Sequence, residues 1–200
     1  SIDKPLKKWG WVDDKAQRDG RMYSSKAPGT TLLGAPIYGL VHLFTGPLEK
    51  ITLTWLLRVS IGIPSLLLLL LLFRREVVRL GADEDLADGL LLGLGLGSIL
   101  YAYALLFTGH LQAALFALGA WHYGRRRDPR GILIFGICAA ATPAMEYPHA
   151  LIVLPLGLRF LFTQRLPGRR FFKSVGYAFA GGAVPIALTC WAQAEMFGRF

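Results

Sequence analysis

The sequence predicts an all-α fold: a polytopic membrane helical bundle of about six spans, with one interfacial juxtamembrane helix beside it. Three observations carry this. Of the 200 residues, 54% are hydrophobic and only 18% are charged. Unbroken apolar runs such as "IGIPSLLLLLLLF" lie inside stretches that approach the ~20 helical residues needed to cross a hydrocarbon core. The basic residues behind the net charge of +9 fall in short runs between oily segments. That is how a membrane protein sets its orientation, and it argues against a nucleic-acid partner. Every backbone amide in lipid must be satisfied within its own segment, so the spans should be helices.

Residues 1–30 are read as a polar outer-face loop, with Trp9, Trp11 and Tyr23 among Lys, Arg and Asp, and residues 31–200 as the bundle. No secretory signal is read ahead of the first oily segment. The start at Ser1 and the stop just past an apolar run read as the cut ends of a longer chain. The segment 31–45 places Thr31, Gly34, Tyr38, His42 and Thr45 at steps of three and four, with Leu32, Leu33, Ile37, Leu40, Val41 and Phe44 opposite. This is an amphipathic helix with a weakly polar stripe. Its seven preceding basic residues favour crossing, while Pro36, the stripe and the short length favour lying flat, so residue physics leaves both open.

Six spans follow, at about 51–73, 89–107, 109–123, 131–145, 149–163 and 174–193. Arg74, Arg75 and Arg79 follow the first, Arg125, Arg126, Arg127 and Arg130 the third, and Arg165, Arg169, Arg170 and Lys173 the fifth. The turns near Thr108 and Tyr147 carry no Lys or Arg. Basic loops stay cytoplasmic, so those two turns and the tail at Phe200 should face outward. Cys138 and Cys190 sit in apolar runs and read as small packing residues, too few for a disulfide framework or metal site. Gly89, Gly93 and Gly97 recur every four residues, which predicts a face for close helix approach.

Several segments resemble one family. "DDKAQRDGRMYSSKAPGTTLLGAPIY" resembles the first outer loop and juxtamembrane helix of bacterial integral-membrane glycosyltransferases of the GT-C superfamily. "SILYAYALLFTGHLQAALFAL", "AAATPAMEYPHALIVLPL" and "WAQAEMFGRF" resemble later segments in the same order. Ser25 stands where the family usually has Asp. The resemblance implies a sugar transferred from a polyprenyl-phosphate donor to an unidentified acceptor at the outer face of the inner membrane. It lays 31–45 flat, and it leaves a divalent metal open. An outer-loop carboxylate would be the base, and the family pattern puts Asp14 and Asp19 forward for that role, though the true acid can also precede Ser1. The Lys-Ala-Pro-Gly turn puts Lys26 on the donor phosphate.

The residues add their own case. A lysine at a Pro-Gly turn beside the bilayer is a compact cation for a phosphate, or else a snorkelling surface residue. Arg58 lies inside an apolar span, where charge is expensive and usually functional, and is read as reaching up to the donor phosphate beside Lys26, or else snorkelling to the interface. His110, Glu146 and His149 stand at outer helix ends on one face and are read as a polar cluster at the substrate site, with Arg58 within pairing reach of Glu146. The bland readings are solvated loop carboxylates, an Asx turn at Asp19–Gly20 and interfacial histidines bonded to water. Two other functions share this hydropathy: a transporter or flippase-like protein, and a non-catalytic scaffold.

Overall fold

The computed structural model describes residues 1–164 and 168–198; Arg165 and the tail at Phe200 lie outside the described residues. The described chain is almost wholly helical, with a single two-stranded hairpin.

The polar stretch ahead of the amphipathic segment carries local structure. It forms helix α1 (Asp3–Trp9) and an antiparallel hairpin, β1 (Lys15–Arg18) with β2 (Arg21–Ser24), in which Arg18 faces Arg21. Asp19 and Gly20 turn the hairpin with φ of +49° and +74°. Positive φ at both central residues gives the twist that two paired strands need, and Asp-Gly is a dipeptide that tolerates it. Helix α1 docks on β2 because the Asp3 carboxylate accepts from the Met22 amide at 3.0 Å and the Ile2 amide donates to the Met22 carbonyl at 2.7 Å. The Met22 amide holds the Asp3 carboxyl below its ordinary 3.8. A lowered folded pKa contributes to docking above the unfolded value and is lost as pH falls through the folded one. The protection factor of the Met22 amide in hydrogen exchange should therefore hold at neutral pH and fall in acid below about 3.8. Asp3→Asn should remove that dependence. Protection unchanged by acid in the parent chain would rule the contact out as a docking element.

Helix α2 (Gly29–Thr45) covers the amphipathic segment. Helix α3 (Lys50–Leu57) runs through a π turn at Arg58–Gly62 into α4 (Ile63–Arg79). Pro64 accounts for the wide turn: it has no amide hydrogen, and its ring would press on the carbonyl four residues back. Lys50–Arg79 is thus one 30-residue helix. After it come α5 (Glu84–Leu96), α6 (Ile99–Leu106), α7 (Gly109–Tyr123), α8 (Pro129–Met145), α9 (Ala150–Thr163) and α10 (Arg169–Phe197). Side-chain caps explain three of the starts. Asp83 accepts from Leu86 N at 2.8 Å, Ser98 from Leu100 N at 3.2 Å and Asp128 from Gly131 N at 2.8 Å, each satisfying an orphan amide.

Lys50–Arg79 and Arg169–Phe197 are long and apolar enough to cross a membrane, as is the α5–α6 pair if its 51° bend is a broken span. Helix α8 and the segment Tyr147–Thr163 are apolar but shorter. Leu67, Leu68 and Leu71 on α4 and Phe179 and Val184 on α10 point outward, more than half exposed. Exposed apolar side chains in that number need a covering, which accords with helices long and apolar enough to cross a membrane.

Helix α8 is the centre, packed against α7 on one side and α10 on the other. Ala120, Ile132, Phe135, Cys138, Leu156 and Phe160 form its core, with the Phe135 and Phe160 rings stacked at 4.3 Å. Leu69, Ala104 and Leu111 make a second core between α4, α6 and α7. The helix approach that depends on glycine is not at Gly89 or Gly93, around which there is open space. Gly95 meets the Leu70 side chain there instead, and the closest crossing is α8 on α10, where Gly136 faces the backbone of Ala178 and Gly182, and Gly181 faces that of Leu133 and Ile137. Cys138 packs as expected, but Cys190 is exposed on α10.

Candidate functional site

The ends of four helices converge beside the hairpin. Gly29 abuts the Ala144 carbonyl, and a Cβ there would stand 2.7 Å from Met145 Cε. A Cβ at Gly109 would stand 2.5 Å from the Met145 carbonyl, 2.8 Å from Glu146 Oε1 and 3.0 Å from Thr30 Oγ1. Glycine at both positions lets the start of α2, the start of α7 and the end of α8 touch. The Lys-Ala-Pro-Gly turn at residues 26–29 is thereby held against the Glu-Tyr-Pro turn at 146–148, although the two are far apart in the chain.

Between them opens a cavity of about 520 Å³. Lys26, Thr30 and Thr31 line one side, Thr108, Gly109 and Glu146 another, and Trp191, Glu195 and Met196 of α10 close it, with Leu32, Ala35 and Phe107 making much of the rest apolar. The Thr108 hydroxyl is buried without a hydrogen-bond partner. A second cavity of about 390 Å³ shares Ser24 and Lys26 with the first and adds Asp14, Lys50, Leu6 and Val12. Lys26 stands at the junction, with its Nζ 3.1 Å from Asp14 Oδ2 and both side chains more than half exposed.

The residues expected at the site are distributed unevenly. Lys26 and Glu146 line the larger cavity, and Asp14 reaches Lys26 from the smaller one. His110 Nδ1 lies 3.7 Å from Glu146 Oε1, and its ring is 6.3 Å from His149 and 4.6 Å from Tyr103. The polar cluster His110–Glu146–His149 is therefore assembled, with His149 Nδ1 buried and without a partner. Asp19 is at the tip of the hairpin, its side chain 84% exposed and paired with Arg18; it lines neither cavity. Arg58 lines neither cavity and makes no ion pair with Glu146. Its guanidinium sits 5.6 Å from the Trp55 ring one turn back, and its Nε is buried without a partner. A ring on the same helix competes for an arginine, which sequence spacing between spans does not register. Among the described residues no three His, Cys, Asp or Glu side chains gather as a metal site, and no step proposed for the site passes through a metal.

Two acids escaped the sequence reading. Glu195 closes the cavity one turn beyond Trp191; a lone carboxylate ending an apolar helix was the available signal. Glu76 is buried at the far end of α4. Its carboxylate receives Arg125 at 2.6 and 2.7 Å, Arg79 at 3.0 Å and Trp121 Nε1 at 3.1 Å, and contacts His122 Nδ1 at 2.5 Å. Arg159 donates to the Trp121 carbonyl at 2.9 Å and covers its ring at 3.7 Å. Here "RREVVRL" offered only a basic run with one acid in it.

The fold and the cavity define a class: an all-helical protein with membrane-length helices and an amphiphilic cavity at one end of the bundle. Neither a protein-family model, a curated protein nor a solved structure matches the chain.

Proposed function

We propose that the chain is a membrane glycosyltransferase that moves a sugar from a polyprenyl-phosphate donor to an acceptor at the outer face of a bacterial inner membrane. In this reading six helices from α3 to α10 cross the bilayer, with α5 and α6 as one broken span, and α2 lies in the interface. The observation that carries it is the meeting of Lys26 and Glu146 on one largely apolar cavity at the end where the turns lack Lys and Arg. An apolar wall with a cation at its mouth suits a phosphate on a hydrocarbon chain.

The donor phosphate takes Lys26 from Asp14, since it offers more charge and more acceptor oxygens than the carboxylate. The acceptor enters the smaller cavity. Its hydroxyl oxygen attacks the anomeric carbon, the anomeric carbon–oxygen bond to phosphate breaks, and the polyprenyl phosphate leaves with that bond's electron pair on its oxygen, ion-paired to Lys26. Asp14, released from the ion pair, accepts the hydroxyl proton. Asp14 fits this role better than Asp19, which stands at the hairpin tip. Glu146, beside His110 and with His149 nearby, orients the sugar. For Arg58 to join Lys26 on the donor phosphate, its guanidinium leaves the Trp55 ring.

The test is turnover of polyprenyl-phosphate-linked sugars by the full chain in liposomes, with a panel of hexose and pentose donors. Lys26→Ala should raise the donor KM roughly 10–100-fold, the loss of a charge-assisted hydrogen bond of ~1.5–3 kcal/mol. Lys7→Ala removes the same charge from exposed α1 and should change KM by less than about twofold, as expected of a solvated surface charge. Equal effects at both positions would reduce Lys26 to loop charge. No turnover of any donor, with synthetic polyprenyl phosphate also failing to bind, would remove the reading.

A further inference from the structure

The opposite end of α7 carries a second site. His122 is thirteen residues beyond Gly109 on that helix, or ~20 Å at 1.5 Å per residue. A cavity of about 400 Å³ there is lined by Arg75, Arg79, His122, Arg125 and Arg126 alone. One carboxylate, Glu76, serves this group, and it is committed to Arg79, Arg125 and His122. Among the described residues none of the neighbouring acids pairs with Arg75 or Arg126, and Asp85 is exposed on α5. Asp83 and Asp128 cap α5 and α8. Glu84 and Asp88 hold Arg74 at 3.4 and 2.5 Å. No carboxylate is left within 4 Å of Arg75 or Arg126 among the described residues, so both guanidinium groups line the cavity without an acid partner.

We propose that this arginine-lined cavity binds a phosphate group, and that the phosphate is the headgroup of an anionic phospholipid. Four guanidiniums around one committed carboxylate leave an excess of positive charge that a phosphate matches in charge and in forked hydrogen-bond geometry. Glu76 positions Arg79 and Arg125, with Trp121 and His122 bracing it, while Arg75 and Arg126 supply the free donors. Depth selects the lipid. Arg75 and Arg79 end a helix long and apolar enough to cross a membrane, which sets the cavity at headgroup level, and basic pockets between helices at that level suit lipid phosphates.

The experiment uses the full chain in detergent and in nanodiscs. Binding is measured by native mass spectrometry, and thermal midpoint by intrinsic fluorescence. The probes are phosphatidylglycerol, phosphatidylcholine and inorganic phosphate. Phosphatidylglycerol should bind and raise the midpoint, and phosphatidylcholine should not. Arg75→Gln with Arg126→Gln should weaken phosphatidylglycerol binding roughly 30-fold, at ~1 kcal/mol per basic residue. The matched pair Arg169→Gln with Arg170→Gln, which lines no part of the cavity, should bind as the parent does. A midpoint raised equally by inorganic phosphate, and lost in the Arg75/Arg126 variant, keeps the phosphate site but overturns the lipid as its source. If the Arg75/Arg126 and Arg169/Arg170 pairs lose binding equally, or if phosphatidylcholine binds as tightly, the site is overturned.

Discussion

Replacing Glu76 with alanine is expected to lower the thermal midpoint by more than any other single change in this protein. Its side chain is 5% exposed and holds Arg79, Arg125, His122 and Trp121 Nε1 at once. The pair with Arg125 is two-pronged, Nη1 on one carboxylate oxygen and Nη2 on the other. Truncation leaves two guanidinium groups crowded together without their counter-charge. Breaking a buried pair from one side costs up to ~3–5 kcal/mol, and water reaching Arg125 and Arg79, 21% and 41% exposed, brings the cost toward the lower end. For a chain of this size that corresponds to a midpoint lowered by roughly 6–20 °C. Glu76→Gln keeps a carbonyl acceptor for Trp121 but loses the charge, and should fall between alanine and the parent. Thermal unfolding of the purified variants in one detergent checks the order. An alanine variant within a degree or two of the parent would mean that the cluster is held by its surroundings rather than by Glu76.

Gly136→Ala should destabilise the fold, and Gly93→Ala should not. Alanine is a better helix former than glycine by ~1 kcal/mol, so on helix propensity alone both changes stabilise. A Cβ at Gly136 runs into the Ala178 carbonyl oxygen and lies 2.8 Å from its carbon and 3.0 Å from Gly182 N. Those are backbone atoms, so α8 and α10 must move apart along their contact, at ~1–3 kcal/mol for overpacking. Around Gly93 there is nothing within 4 Å. Unfolding midpoints of the two variants should therefore move in opposite directions. A midpoint for Gly136→Ala at or above the parent would show that α8 and α10 do not cross at Gly136.

These two residues also mark the boundary of what the chain discloses before it folds. The four-residue recurrence of Gly89, Gly93 and Gly97 was legible, but a recurrence defines a stripe along a helix, not what lies against it. Gly136, Gly181 and Gly182 show no such spacing, and they line the tightest crossing. The same limit governs charge. The alternation of basic and neutral turns was legible because it is carried by the residues of each turn itself. The fourfold commitment of Glu76 was not, because His122 on α7 and Arg125 in the turn after it reach Glu76 across a long separation in sequence.

At the candidate site the division is similar. Lys26, Glu146, His110 and His149 announced themselves through turn chemistry and through charge at the ends of oily segments. Glu195 and Trp191 did not, since nothing in α10 says which wall it closes. Asp19–Gly20 carried two meanings in sequence, an acid for catalysis and a dipeptide for a turn. The structure displays the second, with positive φ at both residues of the hairpin turn, a conformation that Asp-Gly tolerates.

By itself the sequence determined what depends on neighbours along the chain. It determined the helical class, through amides that must be satisfied locally. It determined the oily segments and the chemistry of the Lys-Ala-Pro-Gly and Glu-Tyr-Pro turns. The tertiary structure alone decided what depends on neighbours in space. It folded residues 1–30 into a helix and hairpin, set those two turns against each other through Gly29 and Gly109, turned Arg58 onto Trp55 instead of Glu146, and gathered Arg75, Arg79, Arg125 and Arg126 around one carboxylate. The reason is the reach of the forces. Helix formation and capping act within a turn or two, so their signals repeat at short spacing. Glycine contacts and buried ion pairs act between segments whose separation in the chain is arbitrary, and only packing brings them within a few ångströms.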